Sequence, residues 1–442
     1  MVQPPDPETI ARLAAMLTDR LGPDVVSTDV QARESASKDY AWLSPILTED
    51  LPDSIADVVV RPRRAGDVPA VLDAVSRCRV PLTVRGRGTG NYGQAVPLQR
   101  GVVLDMSGCT AILEVADGLA RVEAGVTFTQ LEQRANDAGL EAPVMPSMLG
   151  STIGGFLSGG NQGVGSIENG SIWDGWVRAL EMVPCALEPE PFVVSGVDVA
   201  PYLHTYGTAG VLMSATVRLV PRRERTVLFA AFDRFADAAR CGMDLMTKLE
   251  VAPRALSLDD QALGATLPAH AGVDVYSTMV RTAIAIRDTD RAAALVAARG
   301  GRVTTVDPTA ITQLYGSVYN HATLRAKRAD PRVCSVQVRG WALIDHEAEV
   351  RAALPDVRLH LDGNAPRQHG VGYSGLLLAS WVDRETLEAG MDRLRDLGVI
   401  VISPHTYVLG GHGNVERIRE VVGTVDPEGL MNPGKLPSLA GS

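Results

Sequence analysis

Val84-Arg85-Gly86-Arg87-Gly88-Thr89-Gly90-Asn91-Tyr92-Gly93-Gln94-Ala95-Val96-Pro97 is the stretch whose reading decides the fold. Glycine takes positive φ at no steric cost and lets a ligand approach the backbone without meeting a Cβ. A concave run of N–H groups of this kind holds an anion, most often a phosphate. Gly88 to Gly93 also fits the dinucleotide pattern G-x-G-x-x-G, which has meaning only between a strand and a helix that begins inside it. The strand is expected at 82–85. The helix is not, because Pro97 and Gly101 interrupt the chain before the next strand at 102–106 and leave no room for a crossover helix. The stretch therefore reads as a phosphate loop joining two strands directly, in preference to a Rossmann turn or a plain surface turn.

Upstream, Ile10, Leu13, Met16, Leu17 and Leu21 share one face of a helix over 7–21 that Gly22-Pro23 ends. A turn-rich segment over 27–56 wraps the following domain. A strand at 58–61 leads to a helix introduced by Asp67 as N-cap and Pro69, with Val68, Val71, Leu72 and Val75 inward. After the loop, strands are expected at 102–106, 111–115 and 119–124, the last two joined by an Asp117-Gly118 hairpin. Thr127 and Gln130 have capping-box spacing at the start of a helix that Gly139 closes. Residues 146–166 contain seven glycines and no charge. That is poor material for a helix and suits backbone lying against a flat ligand. Residues 198–221 read as a short helix, a Gly207-Thr208-Ala209-Gly210 turn and a strand over 211–220.

The Arg85-Gly86-x-Gly88-Thr89 strand end, the glycines after it and Ala95-Val96-Pro97 resemble the pyrophosphate loop of the FAD-binding family typified by vanillyl-alcohol oxidase and p-cresol methylhydroxylase. The similarity is greatest to its FAD-linked oxidase branch, with D-lactate dehydrogenase and glycolate oxidase flavoprotein subunits. It implies FAD contacts at Arg85, Gly86, Arg87, Gly88, Thr89, Gly90, Asn91 and Gln94. The Thr152-Ile153-Gly154-Gly155 turn and its glycine-rich sequel resemble the segment lining the flavin's pyrophosphate and ribityl chain, which implies Pro146, Ser147, Gly150, Thr152, Gly154, Gly155, Gly165 and Ser166. Val211 takes the place whose backbone meets the flavin edge. Asp426-Pro427 to Asn432-Pro433-Gly434-Lys435 resembles the family's closing motif, with Asn432 as a further contact. These four motifs, in the family's order, span almost the whole chain.

The resemblance implies an α+β protein: a two-subdomain p-cresol methylhydroxylase-type FAD-binding domain over 51–222, preceded by a helical wrapping segment over 1–50 and joined by a return segment over 401–442. Residues 226–400 alternate strand-like and helix-like stretches, as expected of a substrate cap domain over 223–400 with an antiparallel sheet covered by helices. Many relatives carry a histidine at the place of Thr89 and bond the flavin through it; Thr89 implies non-covalent FAD. Among eight histidines, His321 in Tyr319-Asn320-His321-Ala322-Thr323-Leu324-Arg325 and His405 in Pro404-His405-Thr406-Tyr407 stand in motifs resembling cap-domain motifs of the branch. Histidine suits proton transfer near neutrality. His405, His321, Arg325 and Tyr319 are therefore the expected catalytic residues, with Arg325 one helical turn beyond His321 as a carboxylate ligand. His204 is expected in the short helix of the FAD-binding domain, and His270 and His346 are expected to be solvated. Some relatives hold a divalent ion between two histidine-bearing runs; here His360-Leu361-Asp362-Gly363-Asn364 and Gly411-His412-Gly413 leave too few ligands, and no metal is expected.

The 442-residue chain has an ordinary hydrophobic content of 45% and a formal net charge of −10, which argues against a nucleic-acid surface. No apolar run is long enough to span a membrane, and the N-terminus lacks a signal peptide's pattern, so a cytoplasmic location is expected. Five scattered cysteines suggest reduced buried thiols. The expected function is an FAD-dependent oxidase or dehydrogenase that removes a hydride from a hydroxylated small molecule, a 2-hydroxy acid by resemblance, and passes electrons to oxygen or a carrier. A tailoring oxidase acting on a bulkier alcohol, phenol or amine is the alternative within the class. A non-catalytic flavin-binding electron-transfer component is the alternative outside it. The sequence leaves the oligomeric state open, a homodimer included.

Overall fold

The computed structural model describes residues 4–267, 277–410 and 414–437. The first sheet has four strands in the order Val26–Ser27, Val58–Val60, Val102–Asp105, Leu82–Arg85. The strands at 58–60 and 82–85 both run parallel to Val102–Asp105. Helix Val68–Cys78 links the strands at 58–60 and 82–85 and fully buries Val68, Val71, Leu72 and Val75, while residues 86–101 connect the parallel pair with no helix between. Helix Pro7–Leu21, capped by the Asp6 carboxylate on the Thr9 amide, buries Leu13 and Leu17 in the same core. Asp67 departs from expectation. A single turn over Ala65–Asp67 precedes the helix, and the Asp67 carboxylate takes the Arg64 guanidinium at 2.9 Å and caps nothing.

A second, antiparallel sheet follows in the order Ile112–Ala116, Leu119–Glu123, Val211–Arg218, Val177–Val183, Phe192–Ser195. Asp117 and Gly118 both have positive φ in the expected hairpin, and the Thr127/Gln130 capping box is formed. The glycine-rich run does contain a helix, Ile153–Gly159, against expectation. Glycine costs about 1 kcal/mol per helical residue relative to alanine. Here the Thr152 side chain caps the Gly155 amide, and Ile153, Phe156 and Leu157 are buried, Phe156 edge-on to Phe128 with centroids 5.3 Å apart. Gly154 is needed for that packing, since a Cβ there would lie 2.7 Å from the Ala124 Cβ. The short helix expected after Asp198 is a 3-10 segment, Gly196–Tyr202, with Pro201 inside it.

The third sheet has eight strands, all antiparallel, in the order Arg302–Asp307, Arg225–Phe232, Thr278–Ala285, Ala255–Asp259, Arg358–Asn364, Gly372–Ser380, Val333–Arg339, Ile400–Ile402. Helices Phe235–Lys248, Glu347–Ala353 and Arg384–Asp396 pack on one face in a core of their own. Strands at 255–259, 302–307, 358–364 and 400–402 were not anticipated. The C-terminal segment returns to the first sheet, where Leu82 N–H donates to Leu430 O and Asn432 N–H to Leu82 O. Among the described residues no helix is long and apolar enough to cross a membrane.

Candidate active site

A cleft of about 1150 Å³ lies between the glycine-rich segments and one end of the eight-stranded sheet. Its first wall is the loop after Leu82–Arg85. Among the described residues, the consecutive amides of Arg87, Gly88, Thr89, Gly90 and Asn91 donate to no protein acceptor. Gly88 has φ +63, a conformation side chains disfavour. Gly86 lets the second glycine segment close in, because a Cβ there would sit 2.1 Å from Thr152 Oγ1. Thr89 Oγ1 and Ser151 Oγ, 2.7 Å apart, join the same two segments.

Both chain ends hold this loop. Tyr40 N–H donates to Gly90 O at 2.7 Å, and the Arg85 guanidinium reaches the carbonyls of Ala36 and Lys38. Asn432 Nδ2 donates to Gln94 O at 2.9 Å and to Tyr206 O at 2.5 Å. Fully buried Lys435 donates from Nζ to Gly93 O at 2.5 Å and lies over the Tyr407 ring. Burial pulls its ammonium down to about 7, opposed by Asp39. The start of helix Ile153–Gly159 is no anion site, because its first amides are taken by Val126 O, Ala124 O and Thr152 Oγ1.

The opposite wall is one face of the cap sheet. Pairing sets Asp362 beside Ser374, Ser374 beside Arg339, and Arg339 beside Ile400, so one transverse row carries a carboxylate, a hydroxyl, a guanidinium and an apolar side chain. All four line the cleft. Among the described residues Arg339 has no carboxylate partner, its Nε is buried without an acceptor, and burial lowers its pKa. Asp362 is fully engaged: Ser257 Oγ donates at 2.5 Å, Tyr319 N–H donates at 3.0 Å, and His360 Nε2 lies 3.0 Å away, poorly aligned for a hydrogen bond. His360 Nδ1 is 2.7 Å from Asp259, which also pairs with Arg281 at 2.6 Å. Burial alone would lower the His360 pKa, but the Asp362 and Asp259 carboxylates overcome it and raise it to about 9.

Of the anticipated cofactor contacts, Arg85, Gly86, Arg87, Gly88, Thr89, Gly90, Asn91, Gln94, Pro146, Ser147, Thr152, Gly154 and Gly155 line the cleft. Gly150, Gly165, Ser166, Val211 and Asn432 do not. Gly165 packs on Pro143 O with φ +95, and buried Ser166 accepts the Gly163 amide. Val211 is buried in its strand while its neighbours Gly210 and Leu212 reach the cleft, and Asn432 is spent on pegging the loop.

Of the anticipated catalytic residues only Tyr319 lines the cleft. Its hydroxyl donates to Gly163 O at 2.7 Å, burial pushes its pKa well above the usual value, and its φ of +52 is strained. His405 is instead buried against Ser44 Oγ at 2.7 Å, with burial, then Lys327 and Arg384, lowering its pKa to about 4. His321 lies in helix Asn320–Ala329; burial and the nearby Arg325 and Arg328 lower it to about 4. Arg325 folds back towards Gly316 O at 3.4 Å. His360 is committed to two carboxylates. His270 and His412 lie outside the described residues.

The cleft also contains Arg339 and Gln337, which the sequence did not single out, and Asp362 and His204, which it set aside. The signal for Arg339 was present: in Val333–Arg339, Val336 and Val338 are buried while Ser335, Gln337 and Arg339 are only partly so, the period of two that puts those three on the other face. His204, at φ +56, sits beside the Trp173 and Tyr206 rings with Nδ1 2.7 Å from Gly160 O. A carbonyl can only accept, so Nδ1 carries the proton.

Five open amides, the Arg87 cation and a glycine-lined wall suit the diphosphate and flat ring of FAD. Residues 56–185 match the family model described as FAD binding domain. D-lactate dehydrogenase of Archaeoglobus fulgidus is 32% identical over 203 residues, covering 43% of this chain and 45% of that protein. Glycolate oxidase subunit GlcD of Bacillus subtilis is 30% identical, covering 47% of this chain and 46% of that protein. Each match thus takes in less than half of the relative's length. Two solved structures share the fold at 17% identity: an alkyldihydroxyacetonephosphate synthase, with a TM-score of 0.76 over 98% of this chain and 87% of that chain, and 4-ethylphenol oxidase from Gulosibacter chungangensis, with 0.67 over 98% and 97%. Residues 56–185 are therefore an FAD-binding domain, within a chain that has the fold of these two structures.

Proposed function

We propose that this protein is an FAD-dependent oxidoreductase that removes a hydride from the hydroxyl-bearing carbon of a 2-hydroxy acid. The observation that carries the reading is Arg339, a guanidinium on the cap-sheet wall of the cleft that has no carboxylate partner among the described residues. An unpaired, partly desolvated cation is costly, and a carboxylate that takes it bidentately relieves that cost while fixing the acid's orientation. Arg339 thus replaces Arg325 as the substrate's anchor. Bound non-covalently, FAD supplies the hydride-accepting ring and, once reduced, a route for electrons to oxygen or a carrier. The Arg87–Asn91 amides would hold its diphosphate. The five buried free thiols support a reducing, cytoplasmic compartment.

Anaerobic mixing of the FAD-loaded protein with a panel of 2-hydroxy acids tests the reading. At least one acid should bleach the flavin, and Arg339→Met should raise the acid concentration needed at least tenfold with FAD still bound. A flavin that no hydroxy acid bleaches would end the proposal.

A further inference from the structure

We infer that the substrate is an amphipathic hydroxy acid, its carboxylate on Arg339 and its hydrocarbon portion on a ledge formed by Ile400 and Ile402. The inference rests on the oxidoreductase reading and narrows its substrate class. Strand Ile400–Ile402 is the edge of the cap sheet, pairing only with Val333–Arg339 among the described strands. Ile400 lies opposite Arg339 and Ile402 opposite Gln337, and cross-strand partners share a face. Val401 points the other way, into contact with the cap core.

The two isoleucines are 55% and 40% exposed and both line the cleft. Leu376, on the far side of Gln337, also lines it, so the apolar surface continues inward. Gln337 accepts the Tyr92 hydroxyl at 3.2 Å, which ties the ledge to the glycine loop. Edge strands are usually blunted by charge or proline. An edge that instead presents two isoleucines beside an unpaired guanidinium, inside a ligand cleft, is complementary to a molecule with an anionic head and an apolar body. Glycolate and lactate have too little hydrocarbon to cover the ledge.

Calorimetric titration of the FAD-loaded protein with acetate, butanoate, hexanoate and octanoate tests this without turnover. Affinity should rise about fourfold for each methylene that reaches the ledge. Arg339→Met should weaken hexanoate tenfold or more. The exposed pair Ile400→Ser with Ile402→Ser should flatten the chain-length dependence and leave acetate unchanged. Equal affinity for acetate and hexanoate in the unaltered protein would overturn the inference, as would hexanoate binding untouched by Arg339→Met. So would a serine pair that changes the sedimenting species and leaves the chain-length slope intact, because the ledge would then be a contact between copies. Chain-length-dependent binding without flavin bleaching by any hydroxy acid would uphold the ledge and remove only the oxidoreductase reading.

Discussion

His360 has no exposed surface and lies between two carboxylates, and its raised pKa of about 9 against 6.5 when unperturbed makes it a stability element. A folded-state pKa above the unfolded value means the contribution is fully present below pH 6.5 and disappears as pH rises through 9. Lys435 acts in the opposite direction: its pKa, lowered to about 7, makes the cost of burying its charge fade as pH rises above that value. The two effects overlap, so the clean readout is a difference. His360→Gln should cost about 3–5 kcal/mol at pH 6, and its gap from the unaltered protein in urea unfolding should narrow steadily up to pH 9. A gap independent of pH would show that His360 is neutral in the fold. Thr89 makes a second residue-scale prediction. Its hydroxyl is occupied by Ser151 and offers no link to a flavin, so denaturation followed by filtration should release all of the FAD. Flavin retained on the unfolded chain would contradict this.

The glycine loop and the helix Ile153–Gly159 show why some elements could be read directly and others could not. The loop was legible because Pro97 and Gly101 are local prohibitions that no tertiary contact can lift. The helix was not, because its stability comes from the Thr152 cap and from Phe156 packing on Phe128, neither of which glycine propensity reflects. Strands at 255–259 and 358–364 were missed because Asp259, His360 and Asp362 interrupt their apolar pattern, and only the pairing of those residues with one another lets them be buried. Gly86→Ala tests the loop as an element. With only 2.1 Å from the new Cβ to Thr152 Oγ1, either Thr152 turns and gives up its cap on Gly155 or the two glycine segments separate. FAD affinity, followed by fluorescence quenching, should fall about tenfold or more, the equivalent of roughly 1.4 kcal/mol. Unchanged affinity would show that the gap between these segments does not shape the cradle.

At the scale of the whole molecule, the FAD-binding half could be read from motifs because each of its ligand-facing loops is continuous in sequence. The substrate side could not. Arg339, Ser374, Asp362 and Ile400 come from four strands and meet only through the register of the cap sheet, whereas His405 and Arg325, prominent in sequence, end on Ser44 and near Gly316. The proposed chemistry therefore belongs to the cleft where the two halves meet. Its most direct test is anaerobic stopped-flow reduction of the bound FAD by the best 2-hydroxy acid, with hydrogen and then deuterium on the hydroxyl-bearing carbon, in the unaltered protein and in Arg339→Met. Bleaching should be slowed severalfold by deuterium and should need at least tenfold more acid in Arg339→Met. Bleaching that is indifferent both to deuterium and to Arg339, or no bleaching by any hydroxy acid, would contradict it.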